Sequence, residues 1–198
     1  QEPQLGLSPL MTDTSPPRSG FAHRVAVPAD EAEIAALMDV AIGELQKGFL
    51  SPEQIAVSRS IMGLDRTLIA DGTYFLIHDG ETGRLAASGG WSRRSTLYGG
   101  DHSTDKRNDA LLRPGTDAAR IRAMYTHPDF TRRGLGRMIL SLCETAARAE
   151  GFTELEMGAT LAGVPLYEAC GYKVIEHTVG AEMDGVAVPV IRMGKALA

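Results

Sequence analysis

Thr131-Arg132-Arg133-Gly134-Leu135-Gly136 is the stretch of this 198-residue chain best suited to hold an anion. It stands between a strand-like segment at residues 121–125 and a helical one that begins at Gly134. A loop in that position presents unpaired backbone N–H groups at a helix N-terminus, where the helix dipole also favours negative charge. The two glycines let a ligand approach the backbone closely. Arg132 and Arg133 add mobile positive charge. A glycine pair alone does no more than tighten a turn, but the strand before it and the helix after it supply the context a phosphate site requires.

The flanking elements follow from pattern. Pro128 cannot donate to a ladder, so strand pairing should stop before it. Asp129 and Thr131 are candidate caps for the helix. Leu135, Met138 or Ile139, Leu142, Ala146 and Ala149 recur at helical spacing. Gly151 suits a left-handed residue just past the helix end, and residues 153–157 alternate as a strand does. A dinucleotide fold would want a third small residue in Gly134-Leu135-Gly136-Arg137-Met138-Ile139. Glu154 lies near the ribose-binding distance of about 20 residues. Ile139, however, obstructs the close helix–strand packing of that fold, and no second βαβ unit is visible.

Two segments carry a closer likeness. His127-Pro128-Asp129-Phe130 followed by the Thr131–Gly136 loop resembles the acetyl-CoA-binding motif of the GCN5-related N-acetyltransferases, R/Q-x-x-G-x-G/A. Downstream, Pro165-Leu166-Tyr167-Glu168-Ala169-Cys170-Gly171-Tyr172 resembles that family's A-x-x-L/F-Y-x-x-x-G-F/Y segment. The order and separation match, and the likeness extends more weakly over residues 23–197. One position departs: Thr131 stands where the family has Gln or Arg, leaving Arg132 or Arg133 to supply that contact. The resemblance implies an α/β fold in a single domain, with a mixed, mainly antiparallel sheet of six to seven strands flanked by helices. It implies acetyl-CoA as cosubstrate, held by Met124, Tyr125, Thr126, Thr131, Arg132, Arg133, Gly134, Leu135, Gly136 and Arg137. It also implies attack of a primary amine on the thioester, with the Met124 backbone N–H, or a neighbour's, stabilising the oxyanion and Tyr167 as general acid.

Composition narrows the setting. A 43% hydrophobic, 23% charged chain of this length fits one globular domain. The net charge of −5 disfavours a nucleic-acid partner. No apolar run approaches the ~20 residues of a membrane span, and no secretory pattern opens the chain. The expectation is a cytoplasmic protein. Cys143 and Cys170 form no C-x-x-C and read as buried thiols. The histidines show no metal-ligand spacing, so no metal is expected.

Along the chain, residues 1–20 are polar and proline-bearing and read as a disordered or draped arm. Met11 resembles a native start, which makes residues 1–10 an upstream extension or a cloning remnant. The domain proper spans 21–198. A strand at 23–27 leads to a helix capped by Asp30 with Glu33 as capping-box partner, carrying Ile34, Leu37, Met38, Ala41, Ile42 and Leu45 on one stripe. Ser51-Pro52-Glu53-Gln54 opens a second helix, with Ile55, Ser58, Ile61 and Met62 facing inward. Residues 64–70 read as a lead-in to a strand at 74–77, and residues 84–91 as the next strand. Ala86, Ala87, Gly89 and Gly90 suit either tight core packing or room for a ligand. Residues 92–119 are long for a connection and are expected to cover the acceptor site or to form a subunit contact, hence a homodimer. Asp184-Gly185 joins two last strands as a hairpin.

The acceptor is then a small amine or a peptide amino group. The base is open among Tyr74, Asp101, His102, His127 and Glu156, with His127 reading as structural. Two other classes stand beside the transferase: a non-catalytic acyl-CoA-binding or interaction module of the same fold, favoured by Thr131, and a nucleotide-binding regulator.

Overall fold

The computed structural model describes residues 20–103 and 107–198. The expected N-terminal arm lies outside the described residues, apart from Gly20. Seven strands form one sheet: β1 (Phe21–Val25), β2 (Tyr74–Asp79), β3 (Leu85–Ser92), β4 (Ala119–Thr126), β5 (Glu154–Ala159), β6 (Lys173–Met183) and β7 (Val186–Ala196). Their order is β1-β2-β3-β4-β5-β7-β6. Only β4 and β5 pair in parallel, and the other neighbours are antiparallel. The helices are α1 (Glu31–Leu45), α2 (Pro52–Ser58), α3 (Arg66–Ala70), α4 (Leu135–Ala149) and α5 (Val164–Ala169).

Helices cover both faces because successive strand residues point opposite ways. On β2, Leu76 joins the cluster under α1 with Ile34, Leu37 and Met38. Its neighbour Ile77 joins the cluster under α4 with Leu135, Ile139 and Leu140. The eight residues of β3 are all buried, as a central strand covered on both sides must be. The α2 helix packs beside the β6–β7 hairpin through Val57 and Val188. Asp184 and Gly185 both take positive φ, 49° and 77°, which the tight turn between β6 and β7 requires.

Several local expectations are corrected. Asp30 stands at the N-cap position of α1 as expected, but its side chain caps nothing in that helix: it closes a 3₁₀ turn at Pro28–Asp30, where its carboxylate accepts from Val27 N–H at 2.8 Å and pairs with Arg24 at 2.7 Å. Glu33 instead approaches His78 at 3.5 Å. Ser51 and Gln54 do form the reciprocal capping box of α2. The lead-in before β2 is helical, because the Asp65 side chain caps α3 by accepting from Thr67 N–H. Neither Asp129 nor Thr131 caps α4. The chain passes through a second 3₁₀ turn, Pro128–Phe130, and enters α4 from Gly134 with no side-chain cap. The buried stripe of α4 is Leu135, Ile139, Leu140, Cys143 and Ala147 rather than the face through Leu142, Ala146 and Ala149. Cys143 is buried, whereas Cys170 is only partly covered.

Candidate active site

The site begins where two strands part. β4 and β5 pair only at Ala119–Leu155 and Arg120–Glu156, although both strands run on beyond. Glu156 holds this last rung, receiving Arg120 at 3.0 Å and Arg192 at 2.7 Å. Past it, residues 121–126 of β4 have no ladder on the β5 side. Within that segment the register against β3 shifts between Ser88 and Gly90. Ala123 sits at φ 52°, a conformation uncommon for a residue with a side chain. Tyr74 pins the distortion: its hydroxyl donates to Ala123 O at 3.0 Å and meets Ser88 Oγ at 2.8 Å.

Two cavities open on this gap. The larger, of about 580 Å³, runs from the start of α4 to the splayed strands. Thr126, Thr131, Arg132, Gly134, Leu135, Gly136 and Arg137 line it at one end, and Met124, Tyr125 and Tyr167 at the other. The first-turn N–H groups of α4 lie on this cavity without a side-chain cap, so the end near Gly134 is rich in backbone donors. Gly134 takes φ 78°, and Arg132 is also left-handed at φ 59°. At Gly136 a Cβ would meet Leu166 Cδ2 at 2.5 Å, so the absent side chain lets α5 pack close to α4.

The smaller cavity, of about 110 Å³, lies on the other side of β4. Leu97, Tyr98, Gly99 and Gly100 of the long connection line it, as do Arg122 and Val190. Described residues of that connection are tied down: Thr96 N–H donates to Asn108 O at 2.9 Å and Leu112 N–H to Arg93 O at 2.8 Å. Arg122 anchors it too, donating to Gly99 O at 2.6 Å and to Asp65 at 2.8 Å. Arg107 also pairs with Asp65, at 3.2 Å. Two guanidiniums, Arg122 buried and Arg107 partly so, thus share one buried carboxylate, and Arg107 also meets Asp109 at 3.5 Å. Among the described residues Arg122 is the one ionised side chain on this cavity.

The cavities meet at Gln46, Met62, Met124, Tyr125, Thr160 and Tyr167. Tyr167 is 8% exposed; its ring lies against Gly163 and edge-on to Tyr172, centroids 6.2 Å apart. Burial drives the Tyr167 phenol above the ordinary range, and it holds the Tyr125 phenol at about 12. Both hydroxyls therefore stay protonated and can donate.

Of the ten residues expected to hold the cosubstrate, nine line the larger cavity. Arg133 does not: its guanidinium stacks on Phe21 at 4.7 Å and Phe130 at 5.7 Å. The Thr131 hydroxyl is engaged locally, donating to Pro128 O at 3.2 Å. Gly89 and Gly90 serve core packing, since a Cβ there would run into Met124 or Tyr74. None of the five candidate bases lines either cavity. Tyr74 is buried and driven up by desolvation; Asp101 pairs with Arg66, and His102 meets Arg59 O at 2.8 Å. His127 caps the 3₁₀ turn by accepting from Asp129 N–H, and Glu156 is spent on two arginines.

The family model described as the acetyltransferase (GNAT) domain matches residues 72–174, just over half of the chain. The chain belongs to the GNAT acetyltransferase family. Solved GNAT proteins share its fold. The GCN5-related N-acetyltransferase of Rhodopseudomonas palustris superposes with a TM-score of 0.63 at 20% identity, covering 89% of this chain and 95% of that one. The PaiA N-acetyltransferase of Thermoplasma acidophilum, solved in complex with coenzyme A, gives 0.58 at 14% identity over 89% and 99%. The ribosomal-protein-S18-alanine N-acetyltransferase of Escherichia coli gives 0.55 at 15% over 90% and 95%. No curated protein matches this GNAT chain in sequence. No helix among its described residues is long and apolar enough to cross a membrane.

Sequence reasoning missed Gln46, Met62 and Thr160. Gln46 closes α1, Met62 follows α2 and Thr160 follows β5, and none belongs to a motif. Only the packing of α1 and α2 against the open end of the sheet brings them to the junction.

Proposed function

We propose that this chain transfers an acetyl group from acetyl-CoA to a primary amine by direct attack. The observation that carries the reading is the meeting of two cavities at the β4–β5 gap, one ending on the uncapped α4 N-terminus and the other closed by residues 97–100. The CoA pyrophosphate takes the N–H groups from Gly134 to Arg137, and Arg132 and Arg137 add charge at the mouth. The pantetheine arm runs along the unpaired edge of β4, whose backbone groups at residues 124–126 replace the missing strand as hydrogen-bond partners. This brings the thioester to Met124 and Tyr167, between the two cavities.

The amine nitrogen then attacks the thioester carbon, and the electron pair moves to oxygen, where the Met124 N–H stabilises it. The tetrahedral species collapses, the C–S bond breaks, and Tyr167 gives its proton to the departing thiolate and recovers one from water. The nitrogen releases its extra proton to water, which is consistent with cavities that hold no carboxylate or imidazole among the described residues. Arg122 is the ionised side chain that reaches the acceptor cavity; it pairs with Asp65, while Arg107 is paired with both Asp65 and Asp109. A nearby positive charge disfavours an ammonium and favours the neutral amine that reacts. The acceptor is a small amine or a peptide amino group.

The Thr131 side chain, turned onto Pro128, supports a second reading as a CoA-binding module without turnover. One comparison separates the two. Acetyl-CoA should raise the melting temperature by mass action under either, and only the transferase releases free CoA thiol when an amine is added. Absence of any thermal shift with acetyl-CoA refutes both.

A further inference from the structure

At the junction of the cavities one buried acceptor has been left over. Gln46, the residue that ends α1, is 3% exposed. Its Nε2 donates to Ser58 Oγ at 3.0 Å and to Ile42 O at 3.3 Å. The Ser58 hydroxyl gives its own proton to Ile55 O at 2.6 Å, so toward Gln46 it can only accept. The Ile42 carbonyl is likewise an acceptor. Turning the amide over would set its oxygen against two acceptors, so the orientation is fixed by its neighbours. Gln46 Oε1 is then the one buried side-chain oxygen or nitrogen among the described residues with no partner. Buried acceptors are nearly always satisfied in the working state of a protein. This one belongs to a residue that lines both cavities beside Met124 and Tyr167.

We infer that Gln46 Oε1 accepts a hydrogen bond from the acceptor amine and so positions its nitrogen for attack, an assignment that rests on the transferase reading above. Two N–H sources could reach the junction: the incoming amine and the pantetheine amide of the cosubstrate. The structure favours the amine. Ser58, which fixes the Gln46 amide, lines the smaller cavity and not the larger. One backbone acceptor of that cavity, Gly99 O, is already taken by Arg122 and Arg107. A neutral amine that gives one N–H to Gln46 keeps its lone pair free for the carbonyl carbon. The contact thus orients the nucleophile and removes no proton from it. A secondary amine has only one N–H, which this bond would use, whereas a primary amine keeps a second to shed after attack. The site therefore selects primary over secondary amines.

The test uses ethylamine as probe. In isotope-labelled protein loaded with CoA, the Gln46 side-chain amide resonances, identified by their loss in Gln46→Met, should move saturably as ethylamine is added. In turnover, Gln46→Met should raise the ethylamine KM roughly 10-fold, the size of one lost hydrogen bond, and leave acetyl-CoA affinity unchanged. Diethylamine should be a far poorer substrate for the native protein than ethylamine. Immobile Gln46 resonances, or an unchanged ethylamine KM, overturn the assignment. An equal loss of acetyl-CoA affinity overturns it as well, giving the bond to the pantetheine amide. If Gln46→Met does not fold, Ser58→Ala keeps Oε1 and frees the amide to rotate; it should raise the ethylamine KM by a smaller factor, and no rise overturns the assignment. Native protein that binds acetyl-CoA but acetylates no primary amine, ethylamine included, counts against the transferase reading, and the resonances still decide Gln46.

Discussion

Replacing Tyr167 with Phe removes one oxygen from the point where the two cavities meet and leaves the ring in place. The ring sits against Gly163 and edge-on to Tyr172, and Phe keeps both contacts. Burial, with no hydrogen bond to offset it, holds the phenol in its protonated form. The hydroxyl therefore contributes little to folding, and the stability change should stay within about 1 kcal/mol, or roughly 2–4 °C in Tm for a chain of this size. Its contribution to the reaction should be larger. General-acid help to a leaving group is worth ~10²–10⁴ in rate, which is about 3–5 kcal/mol of barrier. Rapid-mixing thiol release at saturating acetyl-CoA and amine should show kcat lowered by that factor in Tyr167→Phe, with acetyl-CoA affinity unchanged. The deficit should shrink with an acetyl thioester whose leaving thiol is more acidic, because that thiolate needs a proton less. Retention of full kcat while chemistry limits the rate would falsify the acid role and leave Tyr167 as a packing residue.

Four further outcomes are expected. The native protein should show kcat/KM rising with pH as the free amine loses its proton, and no alkaline fall where an ordinary phenol titrates, because burial lifts the Tyr167 phenol above that range; a fall there, in a full pH profile, contradicts this. Gly134→Val has open space for its side chain but φ 78°, so its cost should be backbone strain of ~1–3 kcal/mol together with a lost acetyl-CoA thermal shift, and an undiminished shift counts against the anion site. Tyr98→Ala should alter the amine KM much more than the acetyl-CoA KM, since Tyr98 lines only the smaller cavity, and steady-state kinetics in both substrates check it. Asp30 is held at about 2 by Arg24, so its folded pKa is depressed: the stability it contributes is complete above the ordinary carboxylate pKa and is lost as pH falls toward 2. Asp30→Asn should lose stability at neutral pH and match the native protein near pH 2 in denaturant titrations, and a pH-independent difference rejects the ion pair as cause.

How far the sequence leads depends on whether a residue's role is local. The Thr131–Gly136 loop could be placed because two glycines, a proline and a helical stripe all lie within a short span. The Asp184-Gly185 turn was legible for the same reason. The face of α4 was not, because its sequence offers two neighbouring apolar stripes and only the sheet decides that Leu140, Cys143 and Ala147 go inward. Residues 64–70 read as a lead-in to a strand, and the helix they form rests on the Asp65 cap, which the pattern of apolar residues does not show. The smaller cavity was least accessible. Gln46 and Ser58 meet only because α1 and α2 pack together, and Arg122 faces Asp65 across 57 positions of sequence. The candidate bases were chosen by chemistry alone, and each proves to lie off both cavities and to be tied up by a partner of its own.

The central claim is that acetyl-CoA and a primary amine meet at the β4–β5 gap and exchange an acetyl group. It is tested most directly by incubating the protein with acetyl-CoA and a panel of primary amines, measuring acetylated amine by mass spectrometry and free thiol in the same reaction. At least one amine should be acetylated with one equivalent of CoA released, and a bulky residue at Gly134 should abolish both. Tight acetyl-CoA binding with no amine acetylated across the panel would contradict the claim and identify the chain as a binding module.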